Sequence, residues 1–174
     1  MCRIASFKTR KDIANGIFIS KLSYLIVLWC SCTSTLLRSL HILQNKAART
    51  VTNLDWSTNT SVLLNQCGWL SVHQLVVYHS VLQVYKVMQT KKPKSLHSMF
   101  KTEYSRNTRE SLSGQIKQEG HPNLDITSSS FRWRASKAYN QIPACIRNTD
   151  NLQNFKRQVK SWIKTTIPLH LNEN

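Results

Sequence analysis

Eight acidic side chains are the first candidates for chemistry: Asp12, Asp55, Glu103, Glu110, Glu119, Asp125, Asp150 and Glu173. Metal-assisted phosphoryl transfer needs carboxylates close together, because several oxygens must hold each divalent ion. No two of these acids stand within three residues of each other. Helix capping accounts better for Asp150, and solvent exposure for the glutamates. The six histidines are scattered as well. His73 and His79 share a predicted helix but are six apart, which places them on different faces. The chain has no Gly-rich phosphate loop, no G-x-S-x-G and no H-E-x-x-H. Nothing here asks for a metal or a cofactor, and the chain reads as non-catalytic.

The five cysteines, Cys2, Cys30, Cys32, Cys67 and Cys145, are odd in number and follow no recognisable secretory signal. A disulfide scaffold is therefore not expected. Zinc ligands usually come as C-x₂₋₄-C pairs, whereas Cys30-Ser-Cys32 is spaced C-x-C and the next histidine, His41, lies nine residues on. Buried thiols in a reducing compartment, cytoplasm or nucleus, are the better reading.

The basic residues carry more information. In "LLRSLHILQNKAARTV", residues 36 to 51, Leu36, Leu40, Leu43, Ala47 and Val51 recur every three or four positions. That is one face of a helix, predicted over about 34 to 53, and Leu36, Leu40, Leu43 and Ala47 are expected to bury it. Arg38 and Arg49 fall nearly opposite this stripe, and Lys46 lies on its flank. A second cluster, Phe131-Arg132-Trp133-Arg134, sits at a predicted helix start with Ser130 as cap. Phe131, Ala135, Ala138, Tyr139 and Ile142 would pack, turning Arg132, Trp133 and Lys137 away. Arginines at a helix N-terminus add to a dipole that favours phosphate, and an exposed Trp can stack on a base. The equal alternative is that Trp133 covers a neighbouring helix and Arg132 and Arg134 are solvated.

Other elements must position these groups. The spacing predicts a helix over 10–30, with Ile13, Ile17, Tyr24, Leu25, Leu28 and Trp29 buried. Its apolar stretch, "GIFISKLSYLIVLWC", is about 15 residues and contains Lys21, too short for the roughly 20 residues of a bilayer span. It reads as a core helix, with no membrane involved. "SVLLNQCG" predicts a short helix stopped by Gly68 in the left-handed conformation. Ser71 and Gln74 form a capping box for the next helix, whose stripe is Leu75, Tyr78, Leu82, Tyr85 and Met88 and which "TKKPK" ends. Residues 101–123 are polar, with Gly114, Gly120 and Pro122, and read as a connector with at most a short strand near Ile116; "LDIT" at 124–127 is a second strand candidate. Pro143 closes the helix that follows. Asp150 is expected to cap the last helix, with Leu152, Phe155, Val159, Trp162 and Ile163 inward. The fold class is mainly α: two helical clusters joined by a polar connector, with at most one or two short strands. The boundaries fall at 1–100, 101–123 and 124–174.

In the 174 residues, twenty-four Lys and Arg against eight Asp and Glu give +16. Solubility needs a net charge of only roughly 2–8 in a small domain, so a polyanion is the expected partner. The 41% hydrophobic content permits a packed interior. The surplus is uneven: residues 61–100 hold Lys86, Lys91, Lys92 and Lys94 and no acid, while six of the eight acids follow residue 100.

Seven short motifs stand in order along the chain. They are Tyr24…Trp29, Leu40-x-x-x-Gln44-Asn45-Lys46-Ala47-Ala48-Arg49, Gly68-Trp69-Leu70-Ser71-Val72, Asn107-Thr108-Arg109, Ser130-Phe131-x-x-Arg134-Ala135, Asn140-x-x-Pro143-x-x-Ile146-Arg147 and Phe155-Lys156-x-x-x-Lys160-x-Trp162. Together they resemble the region downstream of the polymerase core in non-LTR retrotransposon reverse transcriptases, most nearly the jockey-like, LINE-type elements. The resemblance runs from about Phe7 to Ile167. Tyr139 stands where the family commonly has Trp, and Cys30 where Gly often follows the Trp. The resemblance implies a helical thumb (1–100) and a C-terminal helical region of an RNA-directed DNA polymerase, gripping template–primer by its backbone. The palm's Tyr-x-Asp-Asp motif is not in the chain, so no catalytic residue carries over. By the same implication Arg38, Lys46 and Arg49 face, or lie near, phosphates of RNA or an RNA–DNA duplex, and Lys91, Lys92 and Lys94 are further backbone contacts unless they simply form a solvated loop. The parent polymerase's palm is an implied partner. The competing class is a protein–protein interaction module whose positive charge is incidental. On either reading Trp29, Trp69, Trp162 and Tyr139 are core residues.

Overall fold

Helix is the only regular structure among the described residues, which in the computed structural model are 5–24, 26, 34–100, 115–117 and 130–167. The fold is mainly α, as the periodicities predict. The described residues fall into two compact units, one reaching Val76 and one running from Val77 to Ile167.

In the first unit, α1 (Phe7–Ala14) starts where the Ser6 hydroxyl accepts the Thr9 N–H at 3.2 Å. The helix then widens into a π turn (Asn15–Ile19) before a last α turn, α2 (Ser20–Ser23). A π turn adds a residue and rotates every later side chain relative to an ideal helix. The predicted stripe does not survive this: Ile13, Ile17 and Tyr24 are exposed, Tyr24 by 72%. Leu22 and Ile26 are buried instead, and Ala14 and Ile19 pack on the main cluster. Tyr24 is extended (ψ 124°) and interrupts the helix predicted over 10–30, while Ile26 beyond it is again helical. Leu25, Leu28, Trp29, Cys30 and Cys32 lie outside the described residues.

Helix α3 (Ser34–Thr52) has the predicted length but a different buried face. Leu36 and Leu43 are half exposed, and Leu40 and Ala47 are only partly covered. The buried positions are Gln44, Asn45, Ala48, Val51 and Thr52, a face turned by about one residue, roughly 100°, from the leucine stripe. Gln44 explains the rotation. Its amide Nε2 donates to the Leu70 carbonyl at 2.8 Å, satisfying a backbone acceptor that would otherwise be stranded. Polar residues on the packed side are invisible to a search for apolar periodicity.

Asn53, at φ 55°, stops α3 in the left-handed region and reverses the chain. Helix α4 (Thr60–Cys67) is capped by Asn59, whose Oδ1 accepts from the Ser61 N–H at 2.9 Å, and ends at Gly68 with φ 69°. The Trp69 N–H closes the stop by donating to the Leu64 carbonyl at 2.9 Å. A Cβ at Gly68 would meet nothing nearer than Lys11 Nζ at 3.7 Å, so backbone conformation rather than room selects glycine. Ala48, Val51, Leu63, Leu64, Cys67 and Trp69 form the core of this unit, with the Trp69 indole N–H donating to Asn15 Oδ1 at 2.8 Å. Full burial of Leu63 and Leu64 stabilises by roughly 1.5–3 kcal/mol each.

Helix α5 (Val72–Thr90) opens with the expected capping box: Gln74 N–H donates to the Ser71 hydroxyl at 3.3 Å and Ser71 N–H to Gln74 Oε1 at 3.1 Å. Its first turn belongs to the first unit and the rest to the second. There Leu82 and Tyr85 are buried as predicted, joined by Val81, Val84 and Val87. Pro93 precedes a short α6 (Lys94–Met99). Helix α7 (Phe131–Gln141) begins at Ser130, whose hydroxyl accepts the Trp133 N–H at 3.3 Å. Pro143 then opens a single turn, α8 (Ala144–Arg147). Helix α9 (Leu152–Thr166) is capped by Asn151, not Asp150: Asn151 Oδ1 accepts from Gln153 N–H at 2.8 Å. Phe155, Val159 and Ile163 are fully buried, and Trp162 is half-buried. Tyr85 stacks on Phe155 at 3.8 Å between ring centroids, and its hydroxyl donates to the Thr149 carbonyl. Ile116 is buried beside α7, where the Asn140 amide takes its N–H and donates to its carbonyl, both at 2.9 Å. One side chain thereby does for Ile116 what a neighbouring strand would. The strand candidate at 124–127 and the connector apart from 115–117 lie outside the described residues.

Candidate nucleic-acid interface

The predicted cations fall into three groups, one in the first unit and two in the second. Arg38 and Lys46 are exposed on α3, while Arg49 is half-buried. Because the buried face is rotated, Arg38, Ile42 and Arg49 lie along one edge of it, with Lys46 about 60° further round. Arg49 is not free in solvent. Its guanidinium lies over the indole of Trp56, 5.2 Å from the ring centroid, and its Nε is enclosed with no acceptor. The reversal at Asn53 brings Trp56 back to a residue seven positions earlier.

Lys91, Lys92 and Lys94 are all exposed around the end of α5. Lys91 adopts φ 54° and donates its N–H to the Val87 carbonyl at 2.8 Å, so it also serves as the helix stop. The Thr90 hydroxyl fixes the exit, donating to the Lys86 carbonyl at 2.8 Å and accepting the Lys92 N–H at 3.3 Å. On α7, Arg134 and Lys137 are exposed, but Arg132 and Trp133 are half-buried. Trp133 is therefore only partly turned away, contrary to the amphipathic expectation. Phe100, buried at the end of α6, meets Phe131 edge-to-face at 6.1 Å, so the helices bearing Lys94 and Arg132 are neighbours.

Sequence reasoning missed Trp56. At 80% exposure it is the most exposed of the described large apolar side chains. It sits in a polar turn with no apolar partner at helical spacing, and that isolation was the available signal. It also missed Arg147, which is only 6% exposed, with Nε and Nη1 lacking any acceptor and the guanidinium 6.0 Å from the Tyr139 ring centroid. The Tyr139 phenol is pushed up by burial, against the pull of Arg147 in the other direction. Burial also raises the Cys67 thiol, with Lys11 opposing, and lowers His79, with Lys86 reinforcing.

An open recess of about 630 Å³ lies between the start of α1 and the end of α3, lined by Phe7, Arg10, Thr52 and Leu54 among others. Its cation is already engaged: Arg10 donates to the Val51 carbonyl at 3.0 Å and the Ala5 carbonyl at 2.7 Å. No protein-family model, curated protein or solved structure matches the chain. Among the described residues, no three His, Cys, Asp or Glu side chains converge as a metal site would require, and no helix is long and apolar enough to cross a membrane. What the described surfaces can do is neutralise phosphates and offer aromatic rings.

Proposed function

We propose that this chain is a non-catalytic, helical segment of a non-LTR retrotransposon reverse transcriptase, its thumb and the region beyond. It binds template–primer, an RNA or RNA–DNA duplex, through basic helices and works in a reducing compartment, nucleus or cytoplasm. The observation that carries this reading is the α3 surface, where Arg38, Lys46 and Arg49 sit on one side of a helix in a chain of +16. The resemblance supports it in a second way. Gly68, Ser71, Ser130 and Asn140, all within the quoted motifs, stop, cap or clamp the backbone. A pattern of that kind defines a scaffold rather than a reaction.

The test is duplex binding by the whole chain across a salt series. Counterion release makes log K fall steeply and linearly with log salt. The double charge reversal Arg38→Glu, Arg49→Glu is expected to weaken binding at least about tenfold and to reduce the slope by about 2, one for each phosphate no longer neutralised. Binding that ignores salt would overturn the reading, and so would nucleotide incorporation by the chain alone. An unchanged affinity in the double variant would favour the interaction-module reading. That alternative has its own support in Ile13 on α1, Ile17 in the π turn and Tyr24 just after α2, all three exposed. A palm domain of the parent polymerase is a further partner we propose under the first reading.

A further inference from the structure

Trp56 is held in place by its own turn. The Asp55 carboxylate accepts the Trp56 N–H at 2.7 Å with Oδ1 and the Ser57 hydroxyl at 3.1 Å with Oδ2. The Thr58 N–H closes the turn on the Asp55 carbonyl at 3.1 Å. Those bonds engage both oxygens of the acid nearest the indole and leave the ring itself uncovered. Arg49 lies over one face, and with 80% of the residue exposed the other face is open.

Scattered apolar side chains are normal on protein surfaces, but this one has two unusual neighbours. The guanidinium behind it has an enclosed Nε that bonds to no protein acceptor. The helix leading to it carries Arg38 and Lys46 in solvent. A ring with a free face, backed by a cation and approached along a row of cations, has the chemistry that recognises an unpaired base: the base stacks and its neighbouring phosphates meet the charges. A protein partner's apolar surface would match the indole but not the cations.

We propose that Trp56 is a stacking platform for an unpaired nucleobase of the nucleic acid whose phosphates the α3 cations contact, with Arg49 supporting the ring from behind. This rests on the nucleic-acid reading above and adds to it a preference for single-stranded ends over fully paired duplex.

The experiment compares two RNA–DNA duplexes of equal paired length, one blunt and one with a short single-stranded overhang carrying 2-aminopurine. Wild-type chain is expected to bind the overhang duplex more tightly and to quench the 2-aminopurine emission. Trp56→Ala should abolish the quench and weaken overhang binding by about 5- to 100-fold, leaving the blunt duplex unaffected. Trp56→Phe, which keeps a ring, should retain most of both. An exposed side chain is dispensable to folding, and an unaltered melting curve for each variant checks this. Equal affinity of wild type and Trp56→Ala for the overhang duplex, or an equal loss on both duplexes, overturns the stacking inference while leaving salt-dependent duplex binding intact. If the wild type binds neither duplex, the nucleic-acid reading fails and takes this inference with it.

Discussion

The two units use their side chains differently. Among the described residues, apart from Met99, every large apolar side chain that stands out exposed belongs to the first, including Ile17 at 62% and Trp56 at 80%. The second turns its rings and polar groups on itself: Tyr85 stacks on Phe155, Asn140 grips Ile116 from both sides, and Tyr139 lies against Arg147. Exposed apolar side chains contribute little to folding, whereas internally paired groups stabilise their own unit. The comparison is one of exposure against internal pairing: the first unit leaves more apolar side chains uncovered, and the second pairs more of its rings and polar groups.

Truncating one side chain in each unit gives the largest contrast. Phe155→Ala removes a fully buried ring and its stacking on Tyr85, for an expected loss of about 3–5 kcal/mol in urea unfolding followed by circular dichroism. Ile17→Ser, on the exposed side of the π turn, should stay within about 0.5 kcal/mol of wild type. Comparable losses at both positions would show that Ile17 is covered in solution and would erase the distinction between the units.

The same contrast governs what could be read from the sequence. Where backbone chemistry decides, sequence and structure agree at three of four sites: Gly68 stops its helix with positive φ, Ser71 and Gln74 close the capping box, and Ser130 caps α7, while the last cap falls on Asn151 instead of Asp150. These signals are local and need no knowledge of what lies across the core. Apolar periodicity succeeded on α9, whose Phe155, Val159 and Ile163 are all buried. It failed on α1 and α3 for two separate reasons. The π turn breaks the 3.6-residue repeat on which the stripe of Ile13, Ile17 and Tyr24 depended, and α3 packs through Gln44, Asn45 and Thr52. The candidate cations were legible as charges, but Arg49's engagement with Trp56 depends on a chain reversal at Asn53 that no helical pattern announces.

Arg147 is the second unit's exception, and replacing it sharpens the comparison. A guanidinium with two enclosed, unpaired nitrogens costs about 1–3 kcal/mol for each stranded donor. The cation–π contact with Tyr139 returns only about 0.5–2 kcal/mol. The cost wins, so Arg147→Met is expected to stabilise by about 1 kcal/mol and raise the melting midpoint by roughly 4–8 °C. A fall of that size would mean that an anion or a partner's carboxylate satisfies Arg147 in solution, and the second unit would then also carry a recognition site.

The smallest effect is a pH dependence inside the second unit. His79, partly covered on α5 with Tyr78 edge-on at 5.3 Å, has its imidazole lowered from the ordinary 6.5, first by burial and then by the charge of Lys86. A lowered value means that the unfolded chain takes up the proton before the folded one does. The contribution of His79 is therefore complete above about pH 6.5 and declines as pH falls from there towards the folded value. His79→Gln should flatten the part of the stability-versus-pH curve that lies just below 6.5 and leave the curve above it nearly unmoved, measured as urea midpoints at half-unit steps. A slope that survives the substitution would locate the titrating group elsewhere. The burial of α5 would then no longer distinguish this unit by its response to acid.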